Sequence, residues 1–221
     1  MEISTRESRI VIRTTRFALP FAALFAAAAF VLCWPAQGQS SRAGIEANAK
    51  LLFDSPRQVT LGNRSGDVTL VEFFDYNCGF CKRALADTLE VLRDDPQLRL
   101  VLKELPILGP GSSEAARVAV ALHMQDLAGT KYLAFHQKLL SGRGQANKVS
   151  AMLVAAEVGA DMEWLEKDLQ SRDIAMTLDE NLKLARAIGV RGTPAYVVGA
   201  TVTPGAIGAA GLKALIRAAR R

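Results

Sequence analysis

One junction in the chain constrains its fold more than any other. Val68–Phe74 is a near-continuous apolar run with β-branched and aromatic residues, the pattern of a buried central strand, interrupted only by Glu72. Cys78-Gly79-Phe80-Cys81 follows almost at once and opens a helical pattern. Cys81, Leu85, Leu89 and Leu92 fall on one face, and Asp94-Asp95-Pro96 stops the helix. Two cysteines where a strand gives way to a helix form a reversible dithiol, in which one thiolate attacks and the second sulfur resolves. The competing chemistry is metal binding.

The first forty residues decide where that pair works. Arg6, Arg9, Arg13 and Arg16 precede an apolar stretch, 17–34, which is followed by Pro35-Ala36-Gln37-Gly38. A basic start, an apolar core and small residues at Ala36 and Gly38 read as a secretory signal over 1–38, with cleavage near Gly38. The other reading is an uncleaved anchor, since the run approaches the ~20 residues that span a bilayer. Pro20 and the small-x-small site favour cleavage, and Leu32 before Cys33 argues against a lipoprotein. Both readings place the folded part outside the cytoplasm, in the periplasm or cell envelope.

Loss of residues 1–38 removes four arginines and two glutamates, so the net charge falls from +5 to +3. That surplus is too mild and too dispersed for a nucleic-acid partner. Cys33 leaves as well, so Cys78 and Cys81 are the only cysteines of the mature chain. A single Cys-x-x-Cys in an exported chain is no disulfide scaffold, and its function lies in its reactivity.

The rest of the pattern is α/β. Residues 39–57 are a short polar lead-in with a helical hint at Ile45, Ala49 and Leu52. The remaining 58–221 form the main domain. Gln58–Leu61 reads as a short edge strand, Leu98–Leu105 as a second core strand, and Pro194–Val198 as a third. A turn at Gly199-Ala200 follows, and Gly208–Arg220 forms a last amphipathic helix. Between the second and third core strands, about 107–188, no strand is visible and five helices are expected. They are 112–127, 131–140, 148–158, 161–170 and 172–188, with Ser112 and Asp161 as N-caps.

Exchange requires thiolate, and an unperturbed cysteine is only about 3% ionised at pH 7. Cys78 stands where the helix begins, so the helix dipole and unpaired N–H groups point at its sulfur. Lys82 and Arg83 are expected to point away from the sulfur. Cys81, one turn in and on the apolar face, is shielded and acts second. Glu72, a carboxyl in a buried strand, should have a raised pKa and can take the proton of Cys81. Its structural alternative is an ion pair with Lys103 on the neighbouring strand.

The metal reading has less to stand on. One Cys-x-x-Cys supplies half of a tetrahedral zinc site. His123 and His136 lie on separate helices without ligand spacing and read as helix-surface or half-buried residues. Cu(I) bound by the two thiolates is the alternative of a different class. Gly192-Thr193-Pro194 precedes the third core strand. A proline at the very start of a strand cannot donate to the ladder and so marks an edge, and X-Pro is the one bond for which cis is cheap, though trans is the commoner form. A cis bond beside the dithiol exposes the backbone of Thr193 to a substrate strand.

Taken together, Val71-Glu72-Phe73-Phe74-Asp75-Tyr76-Asn77-Cys78, Cys78-Gly79-Phe80-Cys81, Lys103-Glu104-Leu105-Pro106-Ile107-Leu108-Gly109 and Gly192-Thr193-Pro194-Ala195 resemble the DsbA-like thiol:disulfide oxidoreductases of the thioredoxin superfamily. The resemblance covers almost all of 58–220. It implies a thioredoxin-like fold with a helical domain inserted between the second and third core strands, and a cis bond at Thr193–Pro194. It also implies Cys78 as the nucleophile, Glu72 beneath the active site, and client binding by Thr193 and Pro194.

No cofactor is implied beyond the redox-active Cys78–Cys81 disulfide. The implied partners are cysteine-containing client proteins and a membrane redox protein, DsbB-like if the chain oxidises and DsbD-like if it reduces. Strongly oxidising members carry Pro-His between the cysteines, where this chain has Gly79-Phe80. Thr193 looks more like the isomerase and reductase members, so the sequence is similar to the suppressor-of-copper-sensitivity branch. Isomerases of that kind use long N-terminal stalks. Residues 39–57 are too short for one, so a monomer is expected.

Overall fold

Strand β2 (Val68–Phe74) has no polar face, so helices must cover it on both sides, and the rest of the fold follows from that need. The computed structural model describes residues 37–221. The expected signal segment and Cys33 lie outside the described residues, apart from its last two positions. Two short helices, α1 (Gln37–Ala47) and α2 (Ala49–Phe53), lead into β1 (Val59–Gly62), β2, α3 (Gly79–Asp94) and β3 (Leu98–Glu104). Helices α4 (Pro110–Gln125), α5 (Thr130–Ser141), α6 (Lys148–Glu157), α7 (Met162–Asp168) and α8 (Arg172–Ala187) come next. The hairpin of β4 (Ala195–Val198) and β5 (Thr201–Pro204) and helix α9 (Gly208–Ala219) complete the chain.

The sheet order is β1-β3-β2-β4-β5, with β2 at the centre. β2 and β3 run parallel and α3 connects them, whereas β4 lies antiparallel on the other side of β2. The structure thus has the thioredoxin-like arrangement, with α4–α8 inserted between β3 and β4 as the sequence predicts. The expected edge strand, the β4–β5 turn and the five helices are all present, with ends shifted by up to two residues.

Alternation along the strands divides the core. Leu70 and Phe74 face α3 and α9, in a cluster that continues into the insertion through Val118, Tyr132 and Phe135. Val71 and Phe73 face the other side, with Ile45, Leu52, Leu184 and Ile188. The polar lead-in therefore covers the back of the sheet with two helices, and Ile45 and Leu52 are buried there. The hint at Ile45 and Leu52 marks those helices, but their partners on β2 are not local in sequence. At Gly44 the approach to α8 is so close that a Cβ would lie 2.3 Å from the Ala187 carbonyl oxygen.

Three expectations need correction. Pro194 does not mark an edge: it precedes β4, which pairs with β2 on one side and β5 on the other. Asp161 caps α7 by accepting the Trp164 N–H, but Ser112 caps nothing. Helix α4 begins earlier, with Gly109 (φ 111°) as N-cap and Pro110 at the first position. The Ser112 hydroxyl instead donates to Asp75. Nor are His123 and His136 surface residues: both are buried. The insertion folds back over the end of the sheet, which turns α5 inward. His136 packs edge-on to Phe74, 4.6 Å between ring centroids, and stacks on Tyr132.

Candidate active site

The end of β2 is held by a buried carboxylate. Asp75 Oδ1 accepts the Asn77 N–H at 2.8 Å and the Ser112 hydroxyl at 2.7 Å. Its Oδ2 accepts the N–H groups of Ile107 and Leu108 at 2.8 and 3.0 Å. Asn77 binds the Ala146 backbone in both directions and donates to Ser112. The three-residue link between strand and dithiol is thereby pinned to two loops of the helical insertion. An Asx turn at Asp75-Tyr76-Asn77 was readable in the sequence, but the remote partners were not.

From this clamp the chain enters α3. The Cys78 N–H donates to the Asp75 carbonyl at 3.0 Å, and Cys78 occupies the N-cap with extended backbone (ψ 114°). Cys81 lies one turn in. Cys78 and Cys81 are 6% and 1% exposed, both are free thiols, and they lie near 3.5 Å apart. Gly79 and Phe80 between them are exposed. Lys82 and Arg83 each have a partner of their own. Lys82 Nζ donates to the carbonyls of Gly142 and Gly144, and the Arg83 guanidinium lies 4.3 Å from the centre of the Phe80 ring.

Thr193 and Pro194, some 115 residues further along, come to the same place. Their peptide bond is cis. The Cys78 thiol donates to the Thr193 carbonyl at 3.1 Å, so this backbone lies directly on the outer sulfur.

Glu72 lies below, on the α3 side of β2. It is 2% exposed and accepts one hydrogen bond, from Thr88 of α3 at 3.0 Å. Burial pushes its pKa up to about 7, and the Thr88 bond opposes this only in part. Burial also raises the Cys81 thiol well above its usual range. The Asp75 backbone N–H opposes that shift, and the charges of Cys78 and Glu72 add to it. A carboxyl that titrates near neutrality thus stands within electrostatic reach of a thiol that is hard to ionise. Tyr196, whose buried hydroxyl lacks a well-formed hydrogen bond, completes this layer.

The expected Glu72–Lys103 pair does not form. Register places Glu72 beside Leu102, and Lys103 beside Phe73, so the two side chains leave opposite faces of the sheet. Lys103 Nζ donates instead to the Leu51 carbonyl and Gln58 Oε1. Among the described residues no cluster of three or more His, Cys, Asp or Glu side chains has metal-site geometry, and no helix is long and apolar enough to cross a membrane.

Comparison with known proteins gives a consistent picture. A thioredoxin-like oxidoreductase from Silicibacter pomeroyi DSS-3 is 41% identical, with a TM-score of 0.74 over 78% of this chain and 98% of that one. The thiol-disulfide exchange protein alpha-DsbA2 from Wolbachia pipientis is 26% identical, with a TM-score of 0.76 over 83% and 98%. The catalytic domain of Proteus mirabilis ScsC is 26% identical, with a TM-score of 0.73 over 80% and 97%. Among curated relatives, the Na(+)/H(+) antiporter NhaA 1 of Salinispora arenicola is 28% identical over 147 residues, 66% of this chain. The match spans only 22% of that protein's length. The model of the DSBA-like thioredoxin domain matches residues 69–217, and the chain belongs to that family.

Proposed function

We propose that the protein is an exported thiol:disulfide oxidoreductase that forms or exchanges disulfides in extracytoplasmic proteins through Cys78 and Cys81. The observation that carries this reading is the free thiol of Cys78 at the start of α3, bonded to the Thr193 carbonyl. With the pair oxidised, a client thiolate attacks Cys78 Sγ, the Cys78–Cys81 bond breaks, and Cys81 leaves as a thiolate that takes a proton by way of Glu72. A second client thiolate then attacks the client sulfur of the mixed disulfide and releases Cys78. The client gains a disulfide, and two electrons pass to the protein.

The reverse reaction uses the same groups. Cys78 thiolate attacks a client disulfide, Glu72 removes the Cys81 proton, and Cys81 resolves the mixed disulfide. Thr193 and Pro194 hold the client chain in both directions. We favour oxidation in the periplasm or cell envelope by a monomeric protein, recharged by a quinone-linked membrane partner. Thr193 ahead of the proline favours a second reading, an isomerase or reductase kept reduced by a membrane electron donor. Thiol trapping of the pair in cells separates the two, since the first predicts a disulfide and the second free thiols.

A client-binding or Cu(I)-binding module without turnover is the reading to exclude. Cys78→Ser is expected to lower turnover in reduced-RNase and scrambled-RNase assays by about a thousandfold or more. Full activity in that variant would refute the mechanism. Absence of turnover in the unmodified protein, with stoichiometric Cu(I) uptake, would favour the binding module.

A further inference from the structure

The loop before β4, which includes Thr193, lines a groove of about 670 Å³ together with Phe80, which stands between the two cysteines in sequence, and the β5 end of the hairpin. Its walls are largely apolar, with Phe80 (58% exposed), Val190, Pro194 and Val202 among them. Arg191 is the one charged residue among those that line it. That side chain is exposed and makes no hydrogen bond or ion pair among the described residues. Arg57 and Arg220, by contrast, pair with Glu180 and Asp67.

A second cation stands at the same rim. The Arg83 guanidinium rests on the face of Phe80, which itself lines the groove. Among the described residues that line the groove there is no carboxylate to balance either charge. The backbone is equally open. The Thr193 carbonyl meets only the Cys78 thiol, and the N–H groups of Arg191, Gly192 and Thr193 engage no backbone acceptor among the described residues.

We infer that Arg191 is a specificity-determining residue that selects client segments with an acidic side chain close to their reactive cysteine. This rests on the exchange function proposed above. An extended client advances about 3.3 Å per residue, and side chains two apart share a face. A client cysteine placed at Cys78 beside Thr193 therefore carries a neighbour two or three residues away past Arg191. A carboxylate there pairs with the guanidinium while the intervening side chain rests against Phe80 and Pro194. A lysine at that position meets the positive charges of Arg191 and Arg83.

The test uses two short dithiol peptides, identical except for Glu or Lys two and three residues from the first cysteine. Each is oxidised by the disulfide form of the protein, with kcat/KM read by quenching and mass. Wild-type protein, Arg191→Ala and Arg191→Glu are compared, with circular dichroism to confirm folding. The peptides' own thiol reactivity cancels when the Glu/Lys rate ratio of wild type is divided by that of Arg191→Glu. Exposed charge pairs are individually weak, so that quotient should be on the order of tenfold at low salt. It should approach one at 1 M salt, where the screening length is about 3 Å. Arg191→Ala should fall between the two.

A quotient near one at low salt, with both peptides reacting, would overturn the charge selection and leave the exchange function standing. A glutamate preference that survives Arg191→Glu would overturn the assignment to Arg191. Failure of the unmodified protein to oxidise either peptide would overturn the exchange function itself and this inference with it.

Discussion

Glu72 and Lys103 lie on neighbouring central strands, one register step apart, and both are almost completely buried. On the back of the sheet, Lys103 has two acceptors, the Leu51 carbonyl from α2 and Gln58 Oε1 before β1. Burial lowers its pKa to about 8, so it remains charged at neutral pH and ties α2 to the sheet. On the α3 side, Glu72 has a single donor, Thr88, and burial lifts its pKa to about 7. Equal burial thus produces a locked cation on one face and a carboxyl poised at neutrality on the other. The poised group is the one beside the dithiol. Burial moves both by a similar amount, and the difference lies in where each starts: a lysine lowered from 10.5 stays charged at pH 7, whereas a carboxyl raised from 4.5 arrives there.

The largest effect that would break this comparison lies in the pH dependence of stability. The folded pKa of Glu72 exceeds its unfolded value near 4.5, so the folded state binds that proton more tightly. Stability from Glu72 therefore falls as pH rises from about 4.5 to about 7, by roughly 3 kcal/mol, and is level above. Lys103 is depressed from 10.5 to about 8, so the unfolded state binds its proton more tightly. Its contribution rises from about pH 8 to about 10.5 by a similar amount. Denaturant titrations across pH should show Glu72→Gln flattening the acid limb and leaving the alkaline one. If the acid limb persists in that variant, Glu72 is not the poised group.

Next in size is the kinetic consequence. Glu72→Gln should slow the Cys81 step about a hundredfold near pH 7, read by stopped-flow decay of a preformed mixed disulfide. Formation of that mixed disulfide at Cys78 should change far less. Equal slowing of both steps would mean that Glu72 supports the site only structurally.

Lys103→Met should do the reverse. It should cost about 2 kcal/mol of stability at pH 7, because two buried acceptors lose their donor, while exchange rates hold. The smallest effect belongs to Thr88→Val. Loss of the hydrogen bond to the charged form moves the Glu72 pKa further up, so the Cys81 step should slow a few-fold at pH 7 and recover at higher pH. A downward shift of the pH profile would contradict that sign.

Much of this arrangement was legible in the sequence because it is local. The apolar run 68–74, the α3 pattern and the glycine-punctuated helices each declare themselves within a dozen residues. Cys78 and Cys81 stand out by count and position, and Thr193-Pro194 by the motif that it shares with the family.

What was not legible depends on distant partners. Asn77 meets Ser112 and Ala146 across 35 and 69 residues, so Ser112 read as a cap rather than as part of a clamp. His136 is enclosed by Phe74, Tyr76 and Tyr132, and burial lowers its pKa to about 3. Nothing in the α5 sequence says which way that face turns. The Glu72–Lys103 pairing failed for a local reason: parallel register offsets the two by one residue, and one residue reverses the face.

The central claim is that Cys78 is the attacking sulfur and Cys81 the resolving one. The most direct measurement is mass spectrometry of Cys81→Ser and Cys78→Ser after a brief exposure to a small client disulfide. The account predicts a stable mixed disulfide on Cys78 in the first variant and almost none on Cys81 in the second. Equal or faster adduct formation on Cys81 would contradict it.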